Sequence, residues 1–109
     1  MSEKTTVDPG NVQKTMVLPP WGRAVESTKD RPLLVDQTAV RIINAVDYDI
    51  STMTHHLSDL TQMAWIMRSP CIDETVRAFL EKYPKGTIVN IGCGLDTTFD
   101  RIDNGCVIW

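Results

Sequence analysis

The stretch from Thr87 to Arg101, TIVNIGCGLDTTFDR, constrains the fold of this chain most strongly. Ile88, Val89 and Ile91 form a short apolar run that is typical of a buried parallel strand. The glycine turn Gly92-Cys93-Gly94 follows, and glycines at the end of a strand let the backbone reverse sharply and approach a ligand closely. The run therefore predicts the strand-to-helix turn of an α/β fold.

Helical periodicity precedes this strand. Asp36 is predicted to cap a first helix, and a second helix is expected from about Ser58 to Arg68. Ser69-Pro70 is expected to break or kink the chain, and a third helix should then run to Pro84-Lys85-Gly86. The water-facing side of this third helix is predicted to carry Asp73, Glu74, Arg77, Glu81 and Lys82.

The segments before these helices give weaker signals. Residues 1–15 are largely polar and predict a flexible N-terminal arm. The segment from Val17 to Arg23 contains so many helix and strand breakers that it is predicted to be irregular, with Leu18 and Trp21 packed down.

After the glycine turn, the residues from Asp96 to Asp103 can form only one or two helical turns. Asn104-Gly105 signals a further turn, and Cys106 to Trp109 is predicted to be a second strand. Helix, strand, glycine turn, short helix and strand are the opening of a doubly wound α/β sheet. The predicted organisation is a flexible arm over residues 1–15, a helical region over residues 16–86 and the start of an α/β domain over residues 87–109.

Composition narrows the function classes. The 109 residues suit one domain at most, and 42% hydrophobic with 23% charged residues indicates a globular chain. A net charge of −3 argues against nucleic-acid binding, which needs a basic stripe, and no apolar run is long enough to span a membrane. Three cysteines without CxxC spacing indicate neither a disulfide framework nor a zinc site, and a cytoplasmic setting is expected.

The chemistry of the glycine turn favours one class of ligand. A dinucleotide fingerprint would place a third glycine where Thr97 stands, and no lysine follows as a phosphate-binding loop requires. Asp96 lies within the loop and would repel a pyrophosphate, whereas it suits an adenosyl ligand that carries an ammonium group, such as S-adenosylmethionine. The residues alone also allow Gly92 and Gly94 to form a tight turn that binds nothing.

The run from Val89 to Thr97, VNIGCGLDT, resembles the first motif of the leucine carboxyl methyltransferase family, V-N-L-G-x-G-x-D-T, which includes bacterial polyketide O-methyltransferases. Upstream, LPPWGRA from Leu18, PLLVD from Pro32 and RAFL from Arg77 also resemble the family, so that the likeness covers about residues 16–109. The resemblance implies a Rossmann-like, S-adenosylmethionine-dependent O-methyltransferase acting on a carboxylate or hydroxyl of a small molecule or peptide.

The resemblance also implies a set of site residues. In the family the first glycine of the motif lies against the cofactor, which implies Gly92, and an arginine on the preceding helix pairs with the cofactor's carboxylate, which implies Arg68. From the residues alone, Arg68 could instead bind the last carbonyls of its own helix. No catalytic residue or metal ligand is predicted. The predicted cofactor-binding residues are Arg68, Asn90, Gly92, Cys93, Gly94, Asp96 and Thr97.

The family resemblance predicts more sheet than this chain supplies. In the family an acidic residue at the end of the second strand grips the ribose hydroxyls, and here the sequence stops at Trp109 within that strand. We therefore expect a truncated N-terminal part whose sheet is completed by another chain or in a homo-oligomer. A non-catalytic interaction module is the alternative function, and a dinucleotide oxidoreductase is a distant third.

Overall fold

The structure, a computed structural model, describes residues 4–6, 13–47 and 49–109. The remaining residues of the predicted N-terminal arm lie outside the described residues. The described part is mainly helical, and β1 pairs with β2 in parallel, with Thr5 opposite Val46. The elements in chain order are β1 (Thr5–Thr6), a 3-10 helix (Gln13–Val17), α1 (Leu18–Ser27), α2 (Gln37–Ala45), β2 (Val46–Asp47), α3 (Ser51–Thr54), α4 (Asp59–Lys82) and α5 (Thr98–Ile102).

Helix α1 corrects the prediction that the segment from Val17 to Arg23 is irregular. Pro19 and Pro20 fall in the first turn of α1, where a backbone N–H has no intrahelical partner, so the missing donors cost little. Gly22 lies against α4, because a Cβ at this position would stand 3.2 Å from the Trp65 ring. A breaker-rich sequence thus forms a helix that packs closely on its neighbour.

Helix α2 confirms the predicted cap. The Asp36 carboxylate accepts a hydrogen bond from the Ala39 N–H at 2.9 Å, which satisfies one of the free donors at the start of the helix. The Asp36 backbone N–H donates in turn to Ser27 Oγ at 2.8 Å, at the end of α1. This residue therefore joins α1 to α2.

Helix α4 merges the two helices that were predicted on either side of Ser69-Pro70. It begins after Ser58, whose hydroxyl accepts from the Thr61 N–H at 3.1 Å, and it continues through Pro70. A proline inside a helix costs about 3 kcal/mol, and burial of the α4 face that carries Ile66 and Leu80 offsets this cost. Asp73 lies on the same buried face with 2% of its surface exposed, so the prediction that it faces water is wrong.

The predicted βαβ unit is only partly formed in the described residues. A single parallel bridge joins Thr87 to Ile108, and the Ile88 N–H donates to the Ile108 carbonyl at 2.8 Å. Val89 and Ile91 are 78% and 91% exposed, so they do not form the buried strand that was predicted. So short a strand pair is marginal without further strands beside it, which explains why the bridge does not extend into a ladder.

The apolar core lies beneath the glycine turn. Its buried centre is Val17, Leu18 and Ile50, and Leu95 of the turn packs against it. The short helix α5 packs on α4, and its Ile102 is buried. None of the helices in the described residues is long and apolar enough to cross a membrane. Partly buried side chains that complete the core are Trp21, Ile43, Met53, Leu57 and Trp65.

Candidate functional site

A cavity of about 480 Å³ opens at the glycine turn. The 3-10 helix and α1 contribute one wall, α4 contributes a second, and the turn itself forms the third. Six of the seven predicted cofactor-binding residues line this cavity, although they come from two separate parts of the sequence. They are Arg68, Asn90, Gly92, Cys93, Gly94 and Asp96.

The glycine turn owes its shape to two positive φ angles. Gly92 has φ 62° and Gly94 has φ 54°, in the left-handed region that residues with a Cβ rarely adopt. The Asp96 N–H closes the turn by donating to the Cys93 carbonyl at 3.0 Å. Apart from its two chain neighbours, no described residue has an atom within 4 Å of the position that a Cβ on Gly92 would take, so this face of the backbone is open to a ligand.

The Asp96 carboxylate is fixed by its neighbours and still faces the cavity. Asn90 Nδ2 donates to Asp96 Oδ2 at 2.7 Å, and the Thr98 hydroxyl donates to Asp96 Oδ1 at 2.9 Å. Both donors are neutral, so the negative charge of Asp96 is not compensated by them. The arrangement holds a carboxylate in one orientation at the cavity wall, where it can attract a cation.

Arg68 places a positive charge on the opposite wall of the same cavity. Its side chain is exposed, and no described residue forms a hydrogen bond or ion pair with its guanidinium. Helix α4 continues past this residue to Lys82, so Arg68 does not lie at a helix end. The alternative that Arg68 binds the last carbonyls of its own helix is therefore wrong.

Thr97 is the predicted residue that does not line the cavity. It is 2% exposed and lies behind the turn, where its hydroxyl donates to Asp36 Oδ2. Arg101 Nη1 donates to the same Thr97 hydroxyl at 2.5 Å. The side chain of Thr97 thus contacts protein groups on the side away from the cavity.

A buried group of charges lies behind the turn, with one member, Arg23, also lining the cavity, and the sequence did not identify it as a group. We call Arg23, Asp36, Asp73 and Arg101 the buried charge cluster. Asp36 Oδ2 accepts from Arg23 Nε at 3.0 Å and from Arg101 Nη1 at 2.8 Å. Arg101 also forms a bidentate pair with Asp73, through Nε at 2.6 Å and Nη2 at 3.0 Å. Two arginines and two aspartates balance each other in charge.

The charged state of Arg101 is favoured by its partners. Burial lowers its pKa, but the hydrogen bonds and charge of Asp73, together with the charges of Asp36 and Asp96, outweigh burial and raise the pKa above its ordinary value. Arg101 therefore stays protonated across the accessible pH range.

One sequence signal for this cluster was present. Asp73 precedes Leu80 by two helical turns, so the two side chains share a face of α4. Because Leu80 is an obvious core residue, a carboxylate in line with it implies a buried cationic partner. The partner itself, Arg101, is far away along the chain and carries no local signal.

The remaining reactive side chains are on the surface. Cys71, Cys93 and Cys106 are free and exposed. His55 and His56 are exposed as well. In the part of the chain that the structure describes, no group of three or more His, Cys, Asp or Glu residues could hold a metal ion.

Comparison with known proteins places this site in a family. The model of the leucine carboxyl methyltransferase family matches residues 17–105. The tetracenomycin polyketide synthesis O-methyltransferase TcmP of Streptomyces glaucescens is 29% identical over 92 residues, which cover 84% of this chain and 33% of TcmP. The chain thus spans about a third of the length of this curated relative, and no solved structure matches it significantly. Because the family match covers most of the sequence and includes the cavity-lining turn, the chain belongs to the leucine carboxyl methyltransferase family.

Proposed function

We propose that this chain binds S-adenosylmethionine at the glycine turn and forms the cofactor-binding part of an O-methyltransferase. Membership of the family points to a methyltransferase. The observation that carries the cofactor proposal is the pairing, in one cavity, of a glycine turn with two opposite charges. These are the Asp96 carboxylate and the Arg68 guanidinium, which has no partner among the described residues.

The charges in the cavity match the amino-acid end of S-adenosylmethionine. A guanidinium binds a carboxylate through two parallel hydrogen bonds, so Arg68 would hold the carboxylate of the methionine moiety. Asp96, already oriented by Asn90 and Thr98, would attract its ammonium group. A cavity of about 480 Å³ lies within the range of small-molecule sites, about 300–1,000 Å³.

The open backbone at Gly92 would let the nucleoside approach the turn closely. The parallel bridge between Thr87 and Ile108 is the part of a Rossmann-like sheet that we propose for this protein. When bound, the cofactor supplies a methyl group on a sulfonium that an acceptor oxygen can attack in line. The protein contributes alignment of the two reactants.

The methyl acceptor that we propose is a carboxylate or a hydroxyl of a small molecule or peptide. A carboxylate is nucleophilic at neutral pH and needs no general base, whereas a hydroxyl gains from one. TcmP, by its name, is an O-methyltransferase of polyketide synthesis, which agrees with an oxygen acceptor.

Titration calorimetry with S-adenosylmethionine and S-adenosylhomocysteine tests the cofactor proposal. Arg68→Ala should weaken binding by about 10- to 100-fold, because a hydrogen bond to a charged group contributes about 1.5–3 kcal/mol. Arg41→Ala is the matched control, since Arg41 is an exposed helical arginine outside the cavity. The absence of binding to the unmodified chain would refute the cofactor proposal, and an unchanged Kd in Arg68→Ala would refute the role of Arg68 alone.

A second candidate function is a non-catalytic interaction module. The observation that favours it is the exposed apolar edge formed by Val89 and Ile91, next to the single bridge at Thr87. In this alternative, a second copy of the chain pairs with the exposed edge, as unpaired strand edges tend to do. Sedimentation should then show a dimer that Val89→Asp with Ile91→Asp dissociates, and a monomer at all concentrations would contradict the alternative.

A further inference from the structure

The two residues that flank Asp96 are both tied to the same buried carboxylate. On one side, the Leu95 carbonyl accepts from Arg23 Nη2 at 3.2 Å, and Arg23 Nε is bonded to Asp36 Oδ2. On the other side, the Thr97 hydroxyl donates directly to Asp36 Oδ2. Asp36 thus holds the turn at two points: the backbone carbonyl of Leu95, through Arg23, and the side-chain hydroxyl of Thr97.

Asp36 is itself fixed in place. Its second carboxylate oxygen caps α2 by accepting from the Ala39 N–H, and its backbone N–H is bonded to Ser27 at the end of α1. It is 2% exposed, and Arg101 adds a further ion pair at 2.8 Å. A residue held by so many groups can transmit its position to the turn.

We propose that Asp36 is a positioning residue of the cofactor site, acting on Asp96 through Arg23 and through the Thr97 hydroxyl. This inference rests on the proposed function and adds to it, because it assigns the orientation of Asp96 to Asp36 and Thr97, which do not line the cavity, and to Arg23, which does. Thr97 belongs to the motif in sequence, but its contribution is to hold the turn rather than to contact the ligand.

The hydrogen bond from the Thr97 hydroxyl to Asp36 can be removed with little loss of stability. Thr97→Val keeps the shape of the side chain and removes the oxygen. Asp36 then retains Arg23, Arg101 and the Ala39 N–H as partners, and Arg101 retains Asp36 and Asp73. The fold should survive, with the melting temperature lowered by less than about 8 °C.

The experiment measures the turn and the ligand separately. In the ligand-free chain, NMR follows exchange of the Asp96 amide, which is bonded to the Cys93 carbonyl at 3.0 Å. We expect Thr97→Val to speed this exchange at least fivefold, while amides in the middle of α2 and α4 stay within twofold. Calorimetry should then show the Kd for S-adenosylmethionine raised by about tenfold, and Thr97→Ser should restore both values.

A threonine elsewhere serves as the matched control. The Thr75 hydroxyl is a donor too, but its acceptor is the backbone carbonyl of Cys71 at 2.9 Å, and the residue lies on the exposed side of α4. Thr75→Val should leave both the Asp96 exchange and the Kd unchanged. The positioning role is overturned if Thr97→Val leaves the exchange unaltered, or if the exchange rises while the Kd does not.

The two proposals fail in different ways. If the unmodified chain does not bind S-adenosylmethionine but Thr97→Val still speeds Asp96 exchange, the cofactor assignment is refuted and the coupling from Asp36 to the turn is supported. If the unmodified chain binds and the variant has normal exchange and normal affinity, the cofactor assignment stands and the positioning role is refuted.

Discussion

The two faces of the glycine turn differ in whether their charged side chains are paired. Behind the turn, the charges of the buried charge cluster are paired with one another at 2.6–3.0 Å and are largely hidden from water. In front of the turn, Arg68 has no described partner and Asp96 is held only by neutral donors. The charges behind the turn form ion pairs with one another and fix its position. Those in front have no charged hydrogen-bond partner among the described residues and remain available to a ligand.

This difference predicts which substitutions change stability and which change binding. A charge inside a buried pair is costly to leave without its partner, while a charge at an open cavity is already hydrated. Removing a charge of the buried charge cluster should therefore mainly lower the free energy of unfolding, and removing a charge in front of the turn should mainly alter the affinity for the cofactor.

Asp36→Ala should have the largest effect on stability. It leaves Arg23 and Arg101 without a shared buried partner, and it removes the cap of α2. Breaking a buried ion pair by removing one partner costs about 3–5 kcal/mol. Urea unfolding measures the change, and Asp30→Ala, at an exposed aspartate in a loop, should be close to neutral. A loss below about 1 kcal/mol would show that the cluster does not hold the fold together.

Gly92→Ala should have an intermediate effect on the free energy of unfolding. With its control, it should separate the cost of backbone strain from a loss of cofactor binding. A Cβ at a φ of 62° costs about 1–2 kcal/mol of stability, although it meets no neighbouring atom. Gly105→Ala is the matched control, since Gly105 also has a positive φ, of 78°, and open space around it, but lies away from the cavity. Both variants should lose similar stability, whereas Gly92→Ala alone should weaken cofactor binding. Equal affinities in the two variants would contradict the close approach of the ligand to Gly92.

The smallest effect should come from Glu26, whose protonation at low pH should lower the free energy of unfolding. The Leu33 N–H, at 2.9 Å, and the Lys29 ammonium, at 2.7 Å, lower the pKa of this carboxyl below its ordinary value of 4.5 and outweigh the opposing effect of burial. Because the pKa is lower in the folded state, the stabilisation is present above about pH 4.5 and is lost as the pH falls through the folded value. Lys29 is half exposed, so we expect less than about 1 kcal/mol.

Urea unfolding at pH 7 and pH 3 checks this expectation. Glu26→Gln should reduce the difference in unfolding free energy between the two pH values by a few tenths of a kcal/mol or more. A pH dependence identical to that of the unmodified chain would contradict the contribution of Glu26 to the acid sensitivity.

Local signals in the sequence predicted local structure well. The cap at Asp36, helix α2 and the short helix after the turn were all predicted, because each depends on residues within a few positions of one another. Helix α1 was missed because its prolines were counted as breakers, without regard to their place in the first turn. Helix α4 continues through Pro70 because the buried face on both sides of it is continuous.

The limits of sequence prediction were set by contacts between distant residues. Six predicted site residues meet at one cavity, and five of these lie in a single run, whereas Arg68 was indicated by the family resemblance. The buried charge cluster joins Arg23, Asp36, Asp73 and Arg101, which are spread over most of the chain, so no window of sequence contains it. The two predicted strands form only one bridge, between Thr87 and Ile108, for a related reason. A strand is stabilised by neighbouring strands, which local sequence does not supply.

The central claim is that the front of the glycine turn binds S-adenosylmethionine while the cluster behind it holds the turn in place. NMR mapping with an isotope-labelled chain tests this most directly. Added S-adenosylmethionine should shift the backbone amides of Gly92 to Asp96 and the side-chain Nε–H of Arg68, and should leave the Arg101 Nε–H, which is bonded to Asp73, nearly unmoved. No shifts at the turn, or shifts confined to residues outside the cavity, would contradict the account.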